Sequence, residues 1–299
     1  QLRDWNIKIN FGIKTGFNEA YLIDEETKND LIHSDIKSLT LIKPLARGRD
    51  IERFAIEDSN LWVIIVKYGA SEYLEKNFNA IYNHLVKYEY KLKRRGQCTN
   101  KGGQGQHHWL ELDNNPSDSY LNQFKNEKVV WKRVGSIMRF AYSDEEMSCI
   151  ATGEKIKYLT AVLNSKAGLY QLFKTSPQTG TGDQIISVQA LEPLLVHYPS
   201  NEVEAKFNLM VDYILFIKKS KETLFQYLSN EHISEFFEEI IDMMVYELYF
   251  EEEMKAKEID MLKLVTEMSF PDITQTEDKK AILQKVYYGL QQKDNAIRN

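Results

Sequence analysis

Only two cysteines, Cys98 and Cys149, occur in the 299 residues. That excludes a disulfide framework and reads as a reduced, cytoplasmic protein. No apolar run approaches the roughly 18 residues that span a bilayer, and no secretory leader opens the chain, so no membrane partner is expected. Six prolines and 14 glycines are too few for a collagenous or low-complexity chain. No glycine fingerprint follows a strand and opens a helix, so no cofactor cradle is visible. Cys98, Cys149, His107 and His108 lack any paired spacing such as Cys-x2-Cys, which speaks against zinc. Pro271-Asp272 with Glu277-Asp278-Lys279 has the residue types of a nuclease centre, but this stretch links two expected helices instead of adjoining strands.

What is present can build a sizeable core: 43% of residues are hydrophobic and 12% aromatic. The net charge of −6 hides an asymmetry. Residues 1–200 hold 26 Lys+Arg against 24 Asp+Glu, whereas residues 201–299 hold 12 against 20. Residues 91–140 hold 10 basic and 4 acidic residues, so a polyanion would meet the middle of the chain and not its tail. A merely solvated basic face accounts for the charge equally well. The chain opens on Gln1, and strand-like sequence starts within a few residues, which reads as an excised fragment.

Residues 1–70 read as strands and turns. Ile7, Ile9 and Phe11 alternate with polar residues, the pattern resumes at Ala20–Ile23, and Leu61–Val66 is a continuous apolar run. Apolar spacings of three and four predict a helix over 71–95 that ends in Lys91, Lys93, Arg94 and Arg95. Residues 96–106 have no apolar periodicity and are expected to form an exposed loop, mobile without a ligand. Strands are expected at 107–112, 128–134, 137–142 and 147–151, then a helix over 155–174. A polar loop at 176–183 precedes short strands at 185–186 and 194–196. After Pro199-Ser200-Asn201 everything reads as helix, about 202–229, 231–250, 252–268 and 277–292. The fold class expected is α+β or α/β, a mixed β-sheet domain with peripheral helices over 1–200 followed by an all-helical region over 201–299.

Four loops combine small, amide and basic residues: Gly12–Asn18, Ile42–Asp50, Lys93–Trp109 and Lys174–Asp183. Glycine lets backbone N–H groups approach a phosphate. Arginine reads guanine bidentately, and asparagine or glutamine reads adenine. Lysine and arginine elsewhere neutralise phosphates. Turns use the same residues, so Arg47-Gly-Arg-Asp50 also reads as a salt-bridged turn, and Trp109 and Trp131 as core. Sequence alone does not show whether the loops converge.

The stretch Gly12-Ile-Lys-Thr-Gly-Phe-Asn-Glu-Ala-Tyr-Leu-Ile-Asp24 resembles the opening of the TaqI-like C-terminal specificity domain, found in adenine-specific DNA methyltransferases and type IIG restriction enzymes. Ile42-Lys-Pro-Leu-Ala-Arg-Gly-Arg-Asp-Ile51 is similar to its next block. In the same order follow Leu61-Trp62, the tyrosine-rich helix, His107–Leu112, Lys128–Trp131 and Leu159–Lys166, with Ile240–Tyr249 similar to the helical end of these enzymes. His108 stands where the family carries an aromatic.

The resemblance implies a clamp on duplex DNA opposite a catalytic methyltransferase domain of the same parent chain, which flips the target adenine. Base reading would fall to Lys93, Arg94, Arg95, Gln97, Asn100, Lys101, Gln104, Gln106, His107 and His108, and to Lys174, Ser176, Gln178, Thr179 and Thr181. Lys14, Lys43, Arg47 and Arg49 would hold phosphates, with Thr15, Asn18, Lys132 and Arg133 beside them. No cofactor is expected in the fragment, and S-adenosylmethionine is expected for the parent. The Asn-Pro-Pro-aromatic loop of amino-methyltransferases is absent; Asn115-Pro116-Ser117-Asp118 comes nearest. No catalytic residue is therefore assigned, and a site-specific adenine methyltransferase, with or without a nuclease, is the parent implied. The alternative is a helical protein-interaction or scaffold module of a DNA-processing complex, using the stripes Phe207, Met210, Val211, Ile214, Ile217 and Ile233, Phe236, Phe237, Ile240, Ile241.

Overall fold

The computed structural model describes all residues except 11, 58–59, 99–104, 149 and 298–299. Its strands are β1 (Ile7–Ile9), β2 (Leu22–Asp24), β3 (Ile42–Pro44), β4 (Leu61–Ile64), β5 (Lys128–Trp131), β6 (Val134–Gly135), β7 (Phe140–Ser143), β8 (Ala151–Gly153) and β9 (Gln184–Ile185). They form three sheets in the orders β1-β8-β5-β7, β2-β4-β3 and β6-β9. Every ladder is antiparallel, so the class is α+β and not parallel α/β.

A small lobe forms around β2-β4-β3. Helices α1 (Asn18–Tyr21), α2 (Glu25–Ser34), α3 (Ser71–Asn77), α4 (Asn79–Val86) and α5 (Glu89–Leu92) surround it. Tyr21, Ile23, Val63, Ile64, Leu74, Ile81, Leu85, Trp109 and Leu112 fill its core. The helix expected over 71–95 is three helices. The backbone leaves helical geometry at Phe78 (φ −136°, ψ 55°) and reaches φ −109°, ψ 7° at Tyr88, with no proline or glycine to announce either break. The apolar spacing survives because all three segments keep one face on the same core. Ala20 and Tyr21 close a helical turn, and the strand follows at 22–24.

A large lobe is built on β1-β8-β5-β7. Helix α6 (Asp118–Asn122) packs through Leu121 against the small core, whereas the large lobe carries α7 (Ile156–Asn164), α8 (Lys166–Thr175) and α9 (Val188–Leu191). The helix expected over 155–174 breaks at Ser165, whose hydroxyl accepts the Gly168 N–H at 3.1 Å and caps α8. Asn164 fastens α7 to the sheet: its amide donates to the Phe140 carbonyl at 2.7 Å and accepts the Phe140 N–H at 3.1 Å.

Beyond Ser200 the secondary structure is helical: α10 (Asn201–Lys219), α11 (Asn230–Tyr249), α12 (Glu251–Lys255), α13 (Met261–Glu267) and α14 (Lys279–Leu290). Side chains of Ser200, Ser229, Asp260 and Asp278 cap α10, α11, α13 and α14. Phe207, Met210, Val211, Ile214, Ile217, Ile233, Phe237, Ile240 and Ile241 share one core with Val129, Phe140, Leu159 and Val162. The apolar stripes are thus covered by the chain's own sheet and helices. Residue 200 marks a change of secondary structure, and packing runs across it. Among the described residues no helix is long and apolar enough to cross a membrane.

The link between β3 and β4 leaves the small lobe. Ile51 packs with Val130 and Ala141. Phe54, held at φ +69°, exchanges backbone bonds with Phe140 and Tyr142 at 2.9 Å each, extending the large lobe's sheet beyond β7.

Candidate nucleic-acid interface

The four loops meet in two pairs. In the small lobe the 12–18 loop meets the 93–113 segment around Arg95. Arg95 is 6% exposed, and its guanidinium donates to the carbonyls of Thr15 (2.8 Å), Trp109 (2.8 Å) and Glu111 (2.6 Å) and to Asp113 Oδ1 (3.0 Å). Glu111, also buried, accepts from Gly69 N, Ser71 Oγ and His108 N at 2.8 Å each. These bonds take up the Trp109 and Glu111 carbonyls and the His108 N–H, and the 107–112 segment runs as turns and bends instead of the expected strand.

Arg95 is therefore corrected from a DNA contact to an internal strut, because its donors are satisfied inside the protein. His107 is corrected likewise. It is 2% exposed, its Nδ1 faces the His108 carbonyl at 2.9 Å, and its Nε2 lies 3.1 Å from Asp113 Oδ1 outside hydrogen-bonding alignment. Thr15 is buried, and its hydroxyl donates to Asn18 Oδ1 at 2.5 Å. His108 is half-buried, and desolvation holds its pKa below the usual histidine value. Lys93 pairs with Glu89 and lies over the Trp109 ring. Arg94 is exposed and donates to the Tyr90 hydroxyl at 2.6 Å. Lys14, Gln97 and Gln106 are exposed. Asn100, Lys101 and Gln104 lie outside the described residues, as does most of the loop expected to be mobile.

The second pair is in the large lobe. The β6-β9 ladder sets Val134 opposite Ile185 and Gly135 opposite Gln184, which ties the 132–139 segment to the 176–185 hairpin. The Arg47–Asp50 turn lies against the same place. A Cβ on Gly48 would stand 2.8 Å from Lys132 Cγ, and one on Gly135 would stand 3.6 Å from Lys132 Nζ. Lys132 thus runs between two glycines from different loops. A groove of about 410 Å³ between them is lined by Gly48, Ile51, Lys132, Arg133 and Val134.

Charges differ in freedom here. Arg47 forms the salt-bridged turn: its Nε and Nη2 reach the Asp50 carboxylate at 3.0 and 3.2 Å. Lys43 pairs with Glu146 at 3.1 Å. Arg49 is 72% exposed and only 3.8 Å from Asp50 Oδ1 at closest. Lys132 and Arg133 are exposed, and neither forms an ion pair among the described residues. Gln178 and Thr181 are exposed on the hairpin, and Thr179 Oγ1 and Thr181 Oγ1 lie 2.9 Å apart. Lys174 is exposed over the Tyr170 ring, whereas the buried Ser176 hydroxyl has no partner among the described residues. In the sequence the 132–139 segment reads as parts of two strands, with Lys132 and Arg133 among the expected DNA contacts. Its placement follows from the Gly48 turn and the β9 pairing, both distant in the chain.

Trp131 packs in the large core and donates to the Ile186 carbonyl at 3.3 Å, and Trp109 packs in the small core. Among the described residues no group of three or more His, Cys, Asp or Glu could hold a metal ion. Neither a protein-family model nor a curated protein matches the chain. A solved structure of the type IIL restriction-modification enzyme MmeI in complex with DNA aligns with a TM-score of 0.47 at 9% identity. The alignment covers 95% of this chain and 36% of that one, so the chain spans little more than a third of that enzyme's length.

Proposed function

We propose that this chain recognises a duplex-DNA target for a bacterial restriction-modification adenine methyltransferase whose catalytic domain lies elsewhere in the parent. The observation that carries this is the meeting of the Gly48 turn, the 132–139 segment and the 176–185 hairpin. Lys132 and Arg133 are exposed there with no ion pair among the described residues, and Arg49 is exposed with Asp50 no nearer than 3.8 Å, beside Gln178 and Thr181. Free cations set register on phosphates, and amides and hydroxyls within reach of base edges carry sequence information. The sequence blocks around Gly12–Asp24 and Ile42–Ile51 support the same class by resemblance. Arg94, Gln97 and Gln106 form a second polar surface on the small lobe. S-adenosylmethionine would bind the parent's catalytic domain, which would take the flipped adenine.

Fluorescence anisotropy with a labelled duplex over a series of salt concentrations tests the reading. Binding should weaken linearly on log–log axes, by about 0.9 in slope for each phosphate held. Absence of duplex binding at low salt would overturn it. Calorimetry should show no S-adenosylmethionine binding by the chain alone; micromolar binding would place a catalytic site in it.

A further inference from the structure

Five aliphatic side chains stand out as exposed among the described residues: Ile36, Leu39, Val134, Ile137 and Leu195. Two of them fall in the eight residues 132–139, between Lys132 and Arg133 on one side and Arg139 on the other. Ile137 is 61% exposed, whereas the next residue, Met138, turns in against the large core. Ile137 lines a cavity of about 180 Å³ with Gly48, Arg49, Lys132 and Ser136.

The backbone on both sides is fixed. Val134 and Gly135 are paired to β9, and Phe140 is paired to Trp131 and held by Asn164. A β-branched side chain is stiff at χ1, so the exposed Ile137 is held to few rotamers at the rim of this cavity. Arg49, Lys132 and Arg133 would bring a phosphate backbone to either side of it. Arg139 is already neutralised by Glu52 and adds rigidity. Solvated apolar surface beside Lys132 and Arg133, which form no ion pair among the described residues, matches a ligand that is anionic outside and flat and apolar inside, which is the chemistry of stacked base pairs. Apolar residues that enter between base steps unstack them and bend the duplex.

We infer that Ile137 inserts between adjacent base pairs of the bound duplex and unstacks that step. This rests on the DNA-binding reading above and adds a residue that acts on DNA shape. The test uses the full chain and duplexes enriched by it from a randomised pool. 2-Aminopurine is placed at each position of the enriched sequence in turn. The expected result is a several-fold fluorescence rise at one step with the wild type. Ile137→Ala should remove the rise while affinity falls by less than about tenfold and the salt slope is unchanged. Ile137→Leu should restore it. Lys132→Ala with Arg133→Ala should lower the slope instead. If no position brightens with the wild type, or Ile137→Ala brightens as much, the wedge is wrong and duplex recognition stands. If Ile137→Ala loses only discrimination between thymine and deoxyuridine, the side chain touches a methyl group and the wedge is again overturned. If no duplex is enriched, both readings fall together.

Discussion

Arg95 donates to Asp113 across 3.0 Å directly beneath Gly16, where an added Cβ would stand 2.1 Å from the same carboxylate oxygen. Gly16 also holds φ +70°, a left-handed conformation that side chains resist. Gly16→Ala must therefore displace Asp113 and strain the backbone together. We expect a loss of at least about 2 kcal/mol in urea unfolding. An unchanged midpoint would show that the loop yields without disturbing the ion pair.

Neighbouring arginines should behave oppositely. Arg95→Ala removes the guanidinium that Asp113 and the Thr15 and Trp109 carbonyls accept from and leaves the Glu111 carbonyl with only the Tyr21 hydroxyl, and a loss of about 3–5 kcal/mol is expected. Arg94→Ala removes only an exposed contact to Tyr90. Its stability should stay within about 0.5 kcal/mol of the wild type. If Arg94 touches a phosphate, the salt slope for duplex binding falls by about 0.9. Equal destabilisation by the two substitutions would contradict the placement of Arg95.

Gly48 and Lys132 should be coupled. Gly48→Ala pushes on Lys132 Cγ and re-aims its ammonium, so duplex affinity should fall. In a Lys132→Ala background the same change has little left to displace. The double variant should bind about as well as Lys132→Ala alone, a non-additivity of roughly 0.5–3 kcal/mol typical of residues in contact. Strict additivity in a double-mutant cycle would mean that the turn and Lys132 act separately.

Burial of His84, whose Nε2 faces the Ala20 carbonyl at 2.9 Å, pushes its pKa below the usual histidine value. The unfolded chain then binds the proton at higher pH than the folded one. Stability contributed by the neutral ring is present above about pH 6.5 and declines as pH falls below it. Asp212 and Glu247 run the other way, because burial raises their pKa values and favours the folded state on acidification. The comparison is therefore between wild type and His84→Gln, whose amide still reaches Ala20. The stability drop between about pH 7 and 5.5 should be smaller in the variant. An identical drop would assign the pH dependence to other groups.

The sequence made the loops legible but not their partners. Alternation at Ile7–Ile9 and the apolar run from Leu61 located β1 and β4, and the stripes on α10 and α11 marked the faces that are now core. A basic run shows charge and not acceptors, so the sequence does not separate Arg95 from its exposed neighbour Arg94. The acceptors of Arg95, which are Thr15, Trp109, Glu111 and Asp113, are supplied by segments that only the fold brings near. The helix over 71–95 was over-extended because one apolar face continues through both breaks. Lys132 and Arg133 are among the DNA contacts expected from sequence, but their placement beside the Gly48 turn, more than 80 residues earlier, is set by the fold.

Phe54 gives the two lobes a shared fate. The connection that carries it starts and ends in the small sheet, yet its middle is a rung of the large one. Freeing the middle of this connection would require breaking both backbone bonds and drawing the buried Phe54 ring into water, so the link that carries the Gly48 turn is anchored to the large core while its two ends belong to the small sheet.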